Sequence, residues 1–315
     1  IKHTFGRFMA ILAIIALGVG FFAGVRDTTP AMVNMMNIFL SEKNFYDYRI
    51  ISTTGWDDES VEEFSAQPDV LYAEGSISLD VVYNMPRRSL DEMVLKTHML
   101  PDKINGIKLA EGTLPAAANE CAAENDRGFK IGDKIKVHKS NNSETLEMLG
   151  ESEYTVTALV DSSYYINHER GNTSLGNGTV YGFLYLPKEA FNTEYFTEVF
   201  IRFDNDYQMY SDEYDKFIEN KNNSWETISE DIALKHHNSL MDEANAEISD
   251  AKAELEKNRA EGQAELDKSA KEIADGKNQL AASKSELDSA KADLDMLEAY
   301  IGKSSPEFKE AKAKY

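Results

Sequence analysis

The chain has 315 residues, with 33 Lys and Arg against 55 Asp and Glu, a formal net charge of −22 and 42% hydrophobic residues. That acid excess excludes phosphate-backbone binding, which needs clustered cations, and the apolar content is too high for a mainly disordered chain. The single cysteine, Cys121, excludes an internal disulfide framework and any multi-cysteine metal site.

Residues 1–7 carry Lys2 and Arg7, and no ionisable side chain follows until Arg26. As a helix, residues 8–25 are about 27 Å long at ~1.5 Å per residue, close to the hydrocarbon thickness of a bilayer. Lys2 and Arg7 predict a cytoplasmic N-terminus, with everything after about residue 26 outside the membrane. Ala16, Gly20 and Gly24 recur every four residues and predict a face on which a second membrane helix packs closely. The alternative is a cleaved signal peptide ending near Gly18-Val19-Gly20. The apolar run continues from Phe21 to Val25, which argues against it. Residues 26–44 are expected to prolong the helix as a stalk bearing Met32, Val33, Met36, Phe39 and Leu40. Pro30 there either restarts a helix at its first position or kinks it. A chain opening on Ile1 is expected to be a fragment.

Residues 45–206 change grammar and predict an α+β domain with a mixed or antiparallel sheet, or a small barrel. Tyr46–Ser52 is strand-like, and Trp56–Gln67 is a short acidic helix with Asp57 or Asp58 as N-cap and Pro68 as its stop. Val70–Asn84 alternates enough for one long strand or a bent pair. Glu92–Met99, the run after the Gly132-Asp133 turn, Tyr154–Val160, Thr179–Leu186 and Phe196–Phe203 complete the predicted strands. Asn167–Gly178 reads as a long Gly/Asn-rich loop.

Residues 207–301 predict a long helix. Apolar side chains recur at Ile248, Leu255, Leu266, Ile273, Leu280, Leu287, Leu294 and Ile301, in steps of seven except for an eleven-residue step after Leu255. That is a coiled-coil seam interrupted by a four-residue stutter. The alternative is a charged single helix. Residues 302–306 predict a hairpin turn, with Gly302 closing one helix, Ser305 capping the next and Pro306 at its first position. Residues 307–315 then begin a return helix that the chain does not complete.

Catalytic motifs fail on inspection. Gly302-Lys303-Ser304 ends like a phosphate-binding loop, but Leu297 stands where the earlier glycine is required. His168-Glu169-Arg170 lacks the second histidine of a zinc helix. His236 and His237 are neighbours on a helix and diverge, which predicts surface residues. Cys121 has no recognisable activating neighbours. No catalytic, cofactor-binding or metal-binding residue is assigned.

The opening RFMAILAIIALGVGFFAGV, the segment Asp47–Gly55, Glu111-Gly112-Thr113-Leu114-Pro115 with Asn119-Glu120, Lys130–Ile135 and Tyr154–Val160 together resemble the FtsX/MacB-like ABC transporter permeases. The likeness runs in order over most of residues 4–205. It implies a first transmembrane helix followed by a large extracytoplasmic domain of the MacB periplasmic-core type. It also implies a separate cytoplasmic ABC ATPase, and further transmembrane helices that this sequence lacks. The coiled-coil tail looks like the insertion carried by a subset of Gram-positive members. By resemblance, the chain is expected to be part of a non-enzymatic permease subunit in a bacterial cell membrane. It would couple ATPase-driven motion to the export or extraction of a peptide, drug or lipid-like substrate, or to regulation of an envelope protein. Expected partners are the ATPase, the lipid bilayer, the rest of the permease with the return arm, and an extracellular protein. The alternative is a single-pass, membrane-anchored coiled-coil scaffold or adaptor.

Overall fold

The computed structural model describes residues 4–84 and 92–315. Lys2, one of the two cations used to orient the N-terminus, lies outside the described residues, as does the segment 85–91. The chain divides into two units, Ile1–Ser239 and Leu240–Tyr315.

The first unit begins with α1 (Phe5–Glu42), an unbroken helix whose apolar part is exposed throughout. Among the described residues it is the one helix long and apolar enough to cross a membrane. Pro30 lies inside α1 and does not begin a new helix. Its ring removes one backbone donor, a loss the helix tolerates where its neighbours carry it.

Elements β1 (Tyr48–Trp56), α2 (Asp58–Ser65), β2 (Val70–Ser76), β3 (Ser78–Asn84), β4 (Glu92–Met99), β5 (Ile107–Gly112), β6 (Glu120–Glu124), β7 (Lys134–Val137), α3 (Ser143–Met148), β8 (Glu153–Ser162), β9 (Val180–Leu186) and β10 (Phe196–Phe203) follow. They build two sheets. In the smaller, β10 lies between β1 and β2, antiparallel to both. In the larger, β8 pairs with β6 and with β7, so β8-β6-β9-β4-β3-β7 closes on itself and β5 adds to β8 outside the ring. The closed sheet has two parallel pairs, β4 with β9 and β6 with β8.

The expected α+β class therefore holds, and the choice between a sheet and a barrel resolves to a barrel beside a separate three-stranded sheet. Val70–Asn84 is the bent pair: β2 and β3 are consecutive strands that enter different sheets. Three short elements, β5, β6 and α3, carry too little periodic pattern to show in the sequence. Alternation sorts the barrel residues: Val81, Tyr83, Leu95, Ala123, Leu159 and Leu184 belong to one continuous core. Ala122, Ala158, Val160, Phe183 and Tyr185 form a second cluster on the opposite strand face. On the small sheet, Phe64 of α2 and Trp225 pack as stacked rings, and Trp225 also meets Phe203 edge-on.

Trp225 belongs to α4 (Asp212–Ile301), whose last deeply buried residue is His236, near the end of the first unit. In the second unit, the remaining roughly 60 residues of α4 would measure about 90 Å. Gly302 then adopts φ +77°, Ser305 accepts from the backbone N–H of Phe308, and α5 (Pro306–Lys314) follows. Phe308 is buried, and the α4 residues nearest this turn that lose exposure are Leu294, Leu297 and Glu298.

Candidate functional site

The junction where α1 gives way to β1 ties several distant segments together. The helix ends as Lys43 closes its last turn and Asn44 takes φ +48°, a left-handed conformation that asparagine tolerates. The carbonyls of Lys43 and Asn44 accept from the N–H groups of Gly106 (2.8 Å) and Asn105 (3.2 Å). The Lys43 Nζ donates to the Ile107 carbonyl, the Asn44 amide to the Lys103 carbonyl, and the Tyr46 N–H to Asn105 Oδ1. Glu74 fixes the receiving loop, because its carboxylate accepts from the N–H groups of Asp102, Lys103 and Ile104, each at 2.7 Å. The outer end of α1 is thus clamped to both sheets through one loop.

Asp47 forms the second tie. Its side chain is fully buried and accepts from Arg202 Nη1 at 2.6 Å, the Phe203 N–H at 2.8 Å, the Tyr214 hydroxyl at 2.8 Å and Asn205 Nδ2 at 3.4 Å. One carboxylate therefore joins the start of β1, the end of β10 and the first turn of α4. Burial raises the Asp47 pKa above its ordinary value, and the Arg202 charge opposes that rise. Two strand positions along, Arg49 donates to the buried Glu198, whose carboxyl burial also raises against the pull of Arg49.

Between the two sheets lies an aromatic layer centred on His98. Its Nε2 meets the Tyr165 hydroxyl at 2.6 Å, and its ring stacks on Tyr185. Tyr46, Tyr164 and Phe200 continue the layer to the α1 junction. Burial, with the nearby Lys96 and Arg49 charges, pushes the His98 pKa down to about 3, so the imidazole is neutral.

A third tie holds the root of α4. Asp57 caps α2 by accepting from the Ser60 N–H and also meets His236 Nδ1 at 3.1 Å. Burial would raise the Asp57 carboxyl, but the Ser60 hydrogen bonds and then His236 outweigh it and hold it below its usual range. Lys235 bridges Glu59 and Glu63 alongside. The expected surface position for His236 is therefore wrong. It is buried beside Trp56 and Tyr195, while His237 is exposed. A polar pair on one helix shows no sign in sequence of which member faces the core. Cys121 is buried, and burial pushes its thiol up, away from reactivity.

Residues singled out in the sequence lie elsewhere. Ala16, Gly20 and Gly24 are exposed on α1, and a Cβ added at either glycine would meet nothing within 4 Å. Ile248, Leu255, Leu266, Ile273, Leu280 and Leu287 are exposed along α4, Ile301 is 40% exposed, and Leu294 is half-buried. Sequence reasoning missed Asp47 as a tie, although its segment was noticed, because its four partners come from residues more than 150 positions away.

No family model and no curated protein matches the chain. Among solved structures it is similar to the extracellular domain of YknZ, a noncanonic ABC-type transporter from Gram-positive bacteria. Identity there is 9% over 51% of this chain and 82% of that one, with a TM-score of 0.32. It is also similar to the periplasmic region of MacB from Actinobacillus actinomycetemcomitans, at 12% identity over 56% of this chain and 75% of that one, with a TM-score of 0.32.

Proposed function

We propose that this chain supplies the first membrane-spanning helix and the outer domain of a permease subunit of FtsX/MacB type. In this reading it passes ATPase-driven helix motion to the outer face of the membrane. The observation that carries it is the junction at residues 43–47. A continuous helix, apolar enough to cross a bilayer, ends in a clamp of backbone and buried-carboxylate bonds. A helix held that way moves its domain as a lever, whereas a simple tether would need only a flexible linker. ATP hydrolysis is assigned to a separate cytoplasmic subunit. The cargo is a peptide, drug or lipid-like molecule, or the output is regulation of an envelope protein.

Further roles follow from this reading. Ala16, Gly20 and Gly24 serve as the packing face for other membrane helices. The seam from Ile248 to Ile301 serves as one side of a coiled coil completed by a return arm that α5 begins. Residues 1–7 are cytoplasmic and residues after about 26 extracytoplasmic.

The test is co-purification of the intact protein with an ATP-hydrolysing subunit, combined with insertion of four glycines between Lys43 and Asn44. The insertion is expected to leave the domain folded and the complex intact while abolishing nucleotide-dependent movement of a spin label on the outer domain. Unchanged movement in the insertion variant, or no associated ATPase, overturns the reading. A single-pass adaptor would show neither ATPase nor nucleotide response.

A further inference from the structure

The second apolar cluster spans β6, β8 and β9, and Tyr165 packs against it from residues 163–179, the segment that joins β8 to β9. Tyr165 lies flat on Phe183, with ring centres 4.7 Å apart and planes 5° from parallel, and its hydroxyl reaches His98. Arg170 stacks over both rings, 5.1 and 5.7 Å from their centres. Glu124, at the end of β6, holds that guanidinium: Nη2 donates to Oε1 at 2.6 Å, and Nε lies 3.2 Å from each carboxylate oxygen. The same carboxylate accepts from Arg127 Nε at 3.0 Å, and Arg127 Nη2 donates to the His168 carbonyl. The side chains of Glu124 and Arg170 are only 5% and 9% exposed. Gly182 of β9 leaves the space this carboxylate fills, since a Cβ there would come within 2.9 Å of Oε2.

We propose that residues 163–179 form a strap, latched by Glu124, that opens as a unit and uncovers the apolar face of Ala122, Ala158, Val160 and Phe183. Among the described residues, the strap's backbone hydrogen bonds stay within residues 162–180, and a bridge between Asn172 and Thr179 folds its far end onto itself. No backbone ladder ties its length to the barrel, so side chains carry the attachment. Cavities of about 260 and 390 Å³ flank Arg170, and Ile166, Asn167, His168 and Glu169 are exposed, so the strap stands off the barrel on both sides of the latch. A segment with few buried apolar contacts and no ladder belongs to the low-stability end of local opening. Its hold is concentrated at one point, because neutralising a buried carboxylate shared by two guanidiniums leaves both cations uncompensated. The inference uses contacts within the first unit alone and does not rest on the permease reading.

The test is thiol labelling of the full chain in detergent micelles, with a maleimide in excess under native conditions. Val160→Cys places a reporter on the cavity wall beneath the strap, at a position that is fully buried while the strap is closed. The native Cys121, buried in the main core, reports global unfolding in the same molecule. Each rate is divided by that of the same thiol in urea, which removes differences in intrinsic reactivity. The introduced thiol is expected to react about a hundredfold or more faster than Cys121, yet well below its rate in urea. Adding Glu124→Gln is expected to speed the introduced thiol by about tenfold or more while leaving Cys121 unchanged. Tyr165→Phe removes only the hydroxyl on His98, and should speed the introduced thiol by a few-fold; it replaces Glu124→Gln if rapid labelling of Cys121 shows that variant to be unfolded. Equal rates at the two thiols would mean that the strap opens only when the domain unfolds. A rate in the native protein equal to that in urea would mean that no closed strap exists. Either result overturns the proposal, as does an unchanged rate at the introduced thiol in a folded latch variant.

Discussion

Asp47 shows how one side chain sets the junction. Its carboxylate is fully buried, its partner Arg202 is only 13% exposed, and it holds three segments at once. Removing one member of a buried pair leaves the other charge uncompensated, so Asp47→Ala is expected to cost about 3–5 kcal/mol. Asp47→Asn should cost less, because it keeps an acceptor and removes the burial penalty on the charge. Denaturant unfolding followed by Trp56 and Trp225 fluorescence reads both. Glu198 supplies a signed pH test. Its folded-state pKa is raised from the ordinary 4.5, so the folded state holds its proton to higher pH than the unfolded chain does. Its contribution is therefore complete below pH ~4.5 and falls as pH rises through the folded value. The stability of the native protein relative to Glu198→Gln should accordingly decline from pH 4 to pH 7; a rise over that range would show that Arg49 outweighs burial. His98 behaves oppositely. With its pKa near 3, it stays neutral while the unfolded chain takes up a proton below the ordinary 6.5. It therefore costs stability as pH falls between those values, and its imidazole NMR signals should not titrate between pH 7 and pH 5.

At the scale of elements, strand ends and helix ends carry the constraints. Gly112 terminates β5 at φ +84°, and a Cβ there would collide with the Thr157 carbonyl of β8. Gly112→Ala is expected to destabilise the barrel by about 1–3 kcal/mol, since both the backbone region and the close approach demand glycine. Thermal unfolding of the purified variant measures this. The α4 seam behaves differently. Ile273 and Leu280 are exposed, so replacing both by Glu should leave the unfolding of the first unit within ~0.5 kcal/mol of native. The same double variant should abolish association with the return arm, measured as loss of helix pairing in the intact protein by cross-linking along the arm. A large destabilisation of the first unit instead would mean that the seam packs on it.

For the whole molecule, the proposed function puts residues 1–7 on the cytoplasmic side of a membrane and residues after about 26 on the other. The single native cysteine, Cys121, is buried, so it does not interfere with surface labelling. A cysteine introduced at Ser283 should react with a membrane-impermeant maleimide in intact cells, and one introduced at Thr4 only after permeabilisation. The reverse pattern would invert the orientation drawn from Lys2 and Arg7. The clamp at residues 43–47 and the His236–Asp57 tie belong to this scale too, because each fixes a long helix to the same domain at a different edge.

The long elements were legible in the sequence because each repeats its own signal. An uninterrupted apolar run needs no neighbour to be recognised as α1, and a seven-residue apolar repeat marks α4 over many turns. Strand alternation placed most of the sheet, and Gly302, Ser305 and Pro306 carry by local backbone chemistry alone the stop of one helix and the cap and first residue of the next. Tertiary structure decided the rest. Closure of the barrel depends on β8 pairing with β7 and β6 together, and register between distant strands leaves no local trace. The same holds for Asp47, His98 and His236, whose roles come from partners brought in by the fold. Helix and strand signals are written in short-range periodicity, whereas burial of a charge or an imidazole is a property of the three-dimensional surroundings that only the folded chain supplies.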